Sequence, residues 1–131
     1  MTLHARLLWR WGPVVACAGL IFVLSSLSLW KIKVRLPDVL GADKVVHTIE
    51  YGALGLVLAR AVHPAGRRFA WHHALIVIVA TSIYGVSDEL HQYYTPGRMP
   101  SVWDAAADVL GAALAAALWP RLGQRWPWLR A

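Results

Sequence analysis

Four apolar stretches, each about 17–20 residues long, constrain the fold of this chain more than any other feature of its sequence. A helix of that length covers the roughly 30 Å hydrocarbon core of a bilayer. The stretches therefore predict an all-α, polytopic membrane protein: a bundle of four transmembrane helices forming a single domain over residues 1–131. The predicted helices cover about 11–30, 45–62, 72–91 and 103–119, and a cytoplasmic tail follows over 120–131.

The composition supports this class and excludes others. Apolar residues make up 58% of the chain and charged residues 15%, against roughly 25% charged residues in soluble domains. Neither a disordered chain nor an ordinary soluble domain of this size fits these values. The single cysteine, Cys17, excludes an intramolecular disulfide framework and a cysteine-based zinc site.

The distribution of lysine and arginine predicts the orientation. Eight basic residues fall on one side of the predicted membrane and five on the other, and the larger group marks the cytoplasm. We therefore expect both termini in the cytoplasm and extracytoplasmic loops at about 31–44 and 91–102. Because topology accounts for the net charge of +6, we expect no nucleic acid partner. The cytoplasmic group is Arg6, Arg10, Arg60, Arg67, Arg68, Arg121, Arg125 and Arg130, and the other is Lys31, Lys33, Arg35, Lys44 and Arg98.

Polar residues within the predicted helices gather at the extracytoplasmic leaflet. They occur at the start of helix two, the end of helix three and the start of helix four, and on each helix they share one face. Ionisable groups are costly inside a membrane and usually face the bundle interior or a watery cavity. Any one of them alone could instead be an interfacial side chain that reaches water. The candidate pocket residues are Asp43, Lys44, His47, Glu50, Tyr51, Asp88, Glu89, Gln92, Arg98, Asp104 and Asp108.

The loop between helices three and four adds two local expectations. Ser101 is a candidate cap for helix four, with Asp104 closing a capping-box-like pair. Arg98 is the residue of this loop that carries a permanent positive charge. Its guanidinium would form an ion pair with Glu89 or Asp104, or it would receive a phosphate or carboxylate from a ligand.

Several segments together resemble the VanZ-like family of small bacterial membrane proteins. They follow the order of the family's motifs over about residues 20–118, including the double serine that ends helix one. The segments are 22–26 (FVLSS), 43–55 (DKVVHTIEYGALG), 87–92 (SDELHQ), 96–98 (PGR) and 104 with 108–111 (DVLG). Thr48 departs from the pattern, since many relatives carry an aromatic residue there, and this leaves the packing beside His47 open.

The resemblance implies a four-helix protein of the bacterial inner (plasma) membrane and cell envelope. The founding member of the family is associated with low-level resistance to the glycopeptide antibiotic teicoplanin. The family name thus supplies a phenotype and no chemical mechanism.

Three classes of function remain open. The first is a non-enzymatic envelope protein whose pocket binds a membrane lipid, a lipid-linked cell-wall precursor or another envelope protein. The second is a membrane-embedded hydrolase or transferase for a lipid-linked substrate, with His47 and Glu89 as acid–base residues and Arg98 on a phosphate. The third, a channel or transporter, is disfavoured because the charges line only one half of the bundle. We assign no cofactor and no metal, although His47 and Glu50 have the spacing of metal-binding pairs in helix bundles.

Overall fold

A computed structural model describes residues 2–27, 41–63 and 67–125, excluding the side chain at position 124. Within these ranges all regular structure is helical, and the expected all-α bundle of four helices is confirmed. All four helices are long and apolar enough to cross a membrane. They are α1 (Leu3–Ser26), α2 (Ala42–Val62), α3 (Trp71–Tyr93) and α4 (Val102–Arg125).

Helix α1 begins eight residues before the predicted start at residue 11. The Thr2 side chain caps it by accepting a hydrogen bond from the backbone N–H of Ala5 at 3.3 Å. The helix continues through its polar first turns because they are tied to the end of α2. Arg10 donates to a backbone carbonyl of α2, and Arg60 of α2 donates to the Trp9 carbonyl at 2.9 Å. Hydropathy therefore located the apolar part of the helix and missed its beginning.

The ends of α1 and α4 also differ from expectation. Helix α1 ends at Ser26, and Leu27 is extended, so the predicted helix to residue 30 is too long at this end. Residues 28–30 themselves lie outside the described part of the chain. Helix α4 runs past residue 119 to Arg125, so the first half of the predicted tail is helical, and the rest of that tail is not described.

Helices α2 and α4 form the most extensive interface of the bundle, built on small residues. A Cβ atom added to Gly111 would lie 2.5 Å from the Thr48 carbonyl oxygen and 2.8 Å from the Gly52 nitrogen. On the next turns, a Cβ at Gly55 would lie 2.7 Å from that of Ala115. Small residues thus let the two backbones approach closely.

The other contacts fix the arrangement of the helices. Helix α1 packs against α2 and α3, and α4 packs against the same two helices. Helices α1 and α4 consequently lie on opposite sides of the α2/α3 pair. The outer face of α1 is largely exposed, and only Ile21 and Ser25 of this helix are buried. An exposed apolar face is expected for a helix that borders lipid.

The ends of the bundle differ in chemistry. We call the end formed by the last turns of α1 and α3 and the first turns of α2 and α4 the polar end. At the opposite end an apolar cluster surrounds Val77 and Trp119. The Trp119 indole donates to His63 Nδ1 at 3.0 Å. His63, which directly follows α2, is therefore buried and hydrogen-bonded at this end.

Candidate functional site

Six of the seven acidic residues of the chain lie at the polar end, close to two basic residues. The seventh, at position 38, is outside the described residues. Four of the six, Asp88, Glu89, Asp104 and Asp108, are buried. Buried carboxylates need hydrogen bonds, counter-charges or metal ions, so their partners define what this end can do.

Helices α2 and α4 are joined by a histidine and two aspartates. His47 Nδ1 lies 2.9 Å from Asp108 Oδ1, and both residues are buried. Since an ionised carboxylate only accepts hydrogen bonds, the Nδ1–H of His47 donates to it. His47 Nε2 points toward Asp104, whose Oδ2 is 3.9 Å away. The ring is therefore held by one nitrogen while the other faces a second carboxylate.

Lys44 covers the outer side of this set. Its Nζ lies 2.6 Å from Oδ1 of Asp104 and 2.6 Å from Oδ2 of Asp43. Asp43 and Lys44 are partly exposed, whereas Asp104 is buried. The lysine thus links a surface carboxylate to the buried one and leaves Asp104 Oδ2 on the side of His47.

Glu89 of α3 connects the site to the beginning of α4. Its Oε2 accepts a hydrogen bond from the backbone N–H of Ser101 at 2.8 Å, and the Ser101 hydroxyl accepts one from the N–H of Trp103 at 3.2 Å. Ser101 is therefore the cap that the sequence predicted. The predicted pairing with Asp104 is wrong, because Glu89 from another helix takes the position that a capping box gives to the third helical residue.

Asp88 attaches α1 to the polar end. Its Oδ1 accepts from the Ser25 hydroxyl at 2.5 Å and its Oδ2 from the Gln92 amide at 3.0 Å. One residue further on, the Ser26 hydroxyl lies 2.9 Å from His91 Nε2. In the sequence analysis, Ser25 and Ser26 appeared only as part of a family motif and were given no structural role. The signal that could have found them is the pair of adjacent hydroxyls closing an otherwise apolar helix.

Arg98 forms neither of the two predicted ion pairs. Its Nη2 donates to the Leu24 carbonyl at 2.8 Å and so caps the last turn of α1. No ion pair joins it to Glu89 or Asp104 in the described structure. The loop conformation sends the side chain toward α1 instead of α4, and sequence spacing does not reveal that direction.

The remaining predicted residues of α2 lie deeper or to one side. Tyr51 is completely buried one turn below His47, and the two rings are parallel, with centroids 6.2 Å apart. Glu50 is half-buried and forms no hydrogen bond or ion pair within the described residues. The structure thus gathers His47, Tyr51 and the buried carboxylates, and Glu50 takes no part in their hydrogen bonds.

Several buried polar atoms at or below this set have no hydrogen-bond partner among the described residues. They include Glu89 Oε1, Asp108 Oδ2 and the hydroxyls of Tyr51 and Thr81. Asp108 packs directly on Gly85 of α3, where an added Cβ would meet its Oδ2 at 2.7 Å. An unsatisfied buried polar atom costs about 1–3 kcal/mol, so such a group calls for a water molecule, an ion or a ligand.

One subset has the composition of a metal site. His47, Glu89 and Asp104 each offer a ligand atom, and these three atoms lie within 4.8 Å of one another. The same atoms also suit proton transfer, since a histidine oriented by a carboxylate is a common acid–base device. The chemistry available here is thus cation binding, hydrogen bonding to a polar headgroup, or acid–base catalysis.

Comparison with known proteins gives a family and no individual relative. No curated protein and no solved structure matches the chain. A sequence model described as VanZ/LLP1 matches residues 6–123, which includes all of α2 and α3, most of α1 and α4, and every residue of the polar end described above. The protein, a membrane bundle of four helices, therefore belongs to the VanZ/LLP1 family.

Proposed function

We propose that this protein is a non-enzymatic envelope protein whose polar end binds the polar headgroup of a membrane lipid or a lipid-linked cell-wall precursor. The observation that carries the proposal is the set of buried atoms that the fold leaves without partners, Glu89 Oε1 and Asp108 Oδ2 above all. If the polar residues served only to hold the helices together, we would expect these atoms to be paired as Asp88 is. A headgroup with hydroxyl, amine or phosphate groups would satisfy them.

The proposed location is the extracytoplasmic leaflet of the bacterial inner membrane, with both termini in the cytoplasm. Among the described residues, the polar end carries two basic residues, Lys44 and Arg98. The opposite end of the bundle, about five to seven helical turns away, carries a larger basic group. By the positive-inside rule the latter faces the cytoplasm. A reporter that works only in the cytoplasm should be active when fused to the C-terminus, and a reporter that works only after export should be inactive there. The opposite result would show that the orientation is reversed.

A role in glycopeptide sensitivity would follow from this placement. A protein that binds a cell-wall precursor at the outer leaflet would change how much of that precursor is accessible to teicoplanin. This part of the proposal depends on the family resemblance, and cell growth at graded teicoplanin concentrations, with and without the intact polar end, tests it.

The binding experiment uses the purified full-length chain and two matched variants. Native mass spectrometry in detergent, with anionic lipid, zwitterionic lipid or a lipid-linked precursor added, should give a saturable one-to-one complex with one of these. Glu89→Gln removes the charge while keeping an acceptor for the Ser101 N–H, so we expect binding to fall and the fold to persist. His91→Gln, at the same end but turned toward α1, should leave binding unchanged.

Two results would contradict the proposal. One is the absence of saturable binding to every lipid tested. The other is a loss of binding in Glu89→Gln that is matched by an equal loss of thermal stability, because the cluster would then act only in joining the helices.

A membrane-embedded hydrolase or transferase is the second candidate, favoured by one observation. His47 is oriented by Asp108 through Nδ1, and its Nε2 is left to act as a base. Labelled lipid-linked substrates should then yield product with the purified protein and none with His47→Gln. If no product forms from any substrate that binds, the enzymatic alternative is excluded.

A further inference from the structure

We infer that His47, Glu89 and Asp104 form a binding site for one divalent transition-metal ion of the Mn²⁺ or Zn²⁺ type. The three residues come from three different helices, and their ligand atoms lie within 4.8 Å of one another. Neighbouring ligands of a tetrahedral ion, each at about 2.0–2.2 Å from it, are separated by about 3.4 Å. Side-chain rotations that bring the three atoms together by up to about 1.4 Å would therefore close the set around an ion.

The histidine is already held as metal-binding histidines are held. Asp108 Oδ1 accepts the Nδ1–H of His47 at 2.9 Å, which fixes the tautomer and leaves the lone pair of Nε2 for a metal. A carboxylate on the non-ligating nitrogen is the usual outer-shell partner of such a histidine, and it raises the basicity of the ligand. Asp108 is thus a positioning residue, 1% exposed and well shielded from water.

Asp104 presents one free oxygen on the side of the proposed ion. Lys44 occupies its Oδ1 at 2.6 Å, whereas its Oδ2 lies 3.9 Å from His47 Nε2. The lysine therefore does not fill the space between the three ligands. It also holds the aspartate in place, as hydrogen-bonded ligating carboxylates generally are.

An independent observation comes from Glu89. This side chain is only 9% exposed, its Oε2 is used by the backbone of Ser101, and its Oε1 has no partner among the described residues. A carboxylate buried to this extent normally has a counter-charge or a metal ion. Lys44, the one lysine in the described part of the chain, is already shared by Asp43 and Asp104. A divalent ion would supply both the missing partner and the missing positive charge.

The ligand set selects the class of ion. One imidazole nitrogen with two carboxylate oxygens suits Mn²⁺ or Zn²⁺, whereas Mg²⁺ and Ca²⁺ prefer oxygen ligands throughout. Three protein ligands leave at least one coordination position open. If the proposed function holds, that position would take a phosphate oxygen of the headgroup, which would explain how an acidic cluster accepts an anionic lipid.

The test is a metal titration of the purified full-length chain in detergent, without a polyhistidine tag and after removal of metal by a chelator. We expect one Mn²⁺ or Zn²⁺ ion per chain in isothermal titration calorimetry, and at least tenfold weaker binding of Mg²⁺ and Ca²⁺. His47→Gln should weaken Mn²⁺ binding at least tenfold, and Asp108→Asn should weaken it 10–100-fold, as outer-shell changes do. His91→Gln is the matched control and should bind as the unmodified chain does.

A second measurement does not depend on any variant folding correctly. Pulsed electron paramagnetic resonance of the Mn²⁺-loaded chain should show coupling to one imidazole nitrogen. The inference is overturned if no saturable binding occurs, if no nitrogen coupling is seen, or if His47→Gln and His91→Gln bind equally well.

These results are separable from those of the lipid experiment, because the metal titration contains no added lipid. If lipid binding persists in excess chelator, the metal ion does not bridge to the headgroup phosphate and headgroup binding stands. If metal binds but no lipid does, the metal site stands and the proposed function falls.

Discussion

The close contact between α2 and α4 makes Gly111→Ala a sharp test of how the polar end is assembled. The added Cβ would lie 2.5 Å from the Thr48 carbonyl oxygen, and both nearest atoms belong to the backbone, which cannot rotate away. Ordinary contact begins at 3.4 Å, so the helices must separate by about 0.9 Å at this point. Overpacking of this kind costs about 1–3 kcal/mol, and the better helix propensity of alanine returns up to about 1 kcal/mol.

Because Thr48 follows His47 directly, the same displacement moves the histidine relative to Asp108. We therefore expect Gly111→Ala to lower the free energy of unfolding by up to about 2 kcal/mol after the full propensity gain and to weaken ligand or metal binding as well. The assay is unfolding of the purified protein in mixed detergent micelles, followed by circular dichroism. Gly19→Ala is the matched control, since a Cβ at Gly19 meets nothing within 4 Å. Equal stability of the two variants would refute the packing argument.

Two further substitutions test the ends of the bundle. Asp88→Ala removes the acceptor for the hydroxyl of Ser25 and for a neighbouring amide, so we expect it to destabilise the protein by about 2–3 kcal/mol in the same assay; a change below the error of the measurement would show that α1 is held without this contact. Trp119→Phe keeps most of the apolar packing but leaves buried His63 Nδ1 without its donor, so we expect a loss of about 1 kcal/mol and unchanged ligand binding at the polar end; reduced binding would show that the two ends are coupled.

The sequence predicted the architecture well because membrane helices are marked by long apolar runs. The polar faces of helices two, three and four were assigned to one leaflet, and in the structure His47, Glu89 and Asp104 do meet. Their individual partners could not be predicted, since pairing depends on how each helix is rotated about its axis. That rotation is set by backbone contacts such as the one at Gly111.

The errors have the same physical origin. Arg98 was expected to pair with Glu89 or Asp104, but the direction of a loop side chain follows from the turn before it, and the guanidinium caps α1. Glu89 was expected to line the pocket, to act as an acid–base residue or to pair with Arg98, and the structure shows that it caps α4 through the Ser101 N–H. A cap supplied from another helix leaves no spacing signal in the sequence.

The start of α1 shows a different limit. Hydropathy marks where a chain enters the hydrocarbon core, whereas a helix ends where its backbone finds other partners. Arg60 extends α1 into its polar first turns by binding the Trp9 carbonyl, a contact across 51 residues of sequence. Ser25 was noted only as part of a family motif and was given no partner, because a hydroxyl near the end of an apolar helix carries little weight until its partner, Asp88, is known.

The central claim is that buried polar groups of α2 and α3 face one common space at the polar end. The most direct measurement introduces His47→Cys and Glu89→Cys together in a Cys17→Ser background and treats the protein with the shortest bifunctional thiol reagent. After cleavage between α2 and α3, we expect the two fragments to remain linked. They should separate when Ser87→Cys, at an exposed position of α3, replaces Glu89→Cys. Equal linkage in both pairs, or none in the first, would show that His47 and Glu89 do not face a common space.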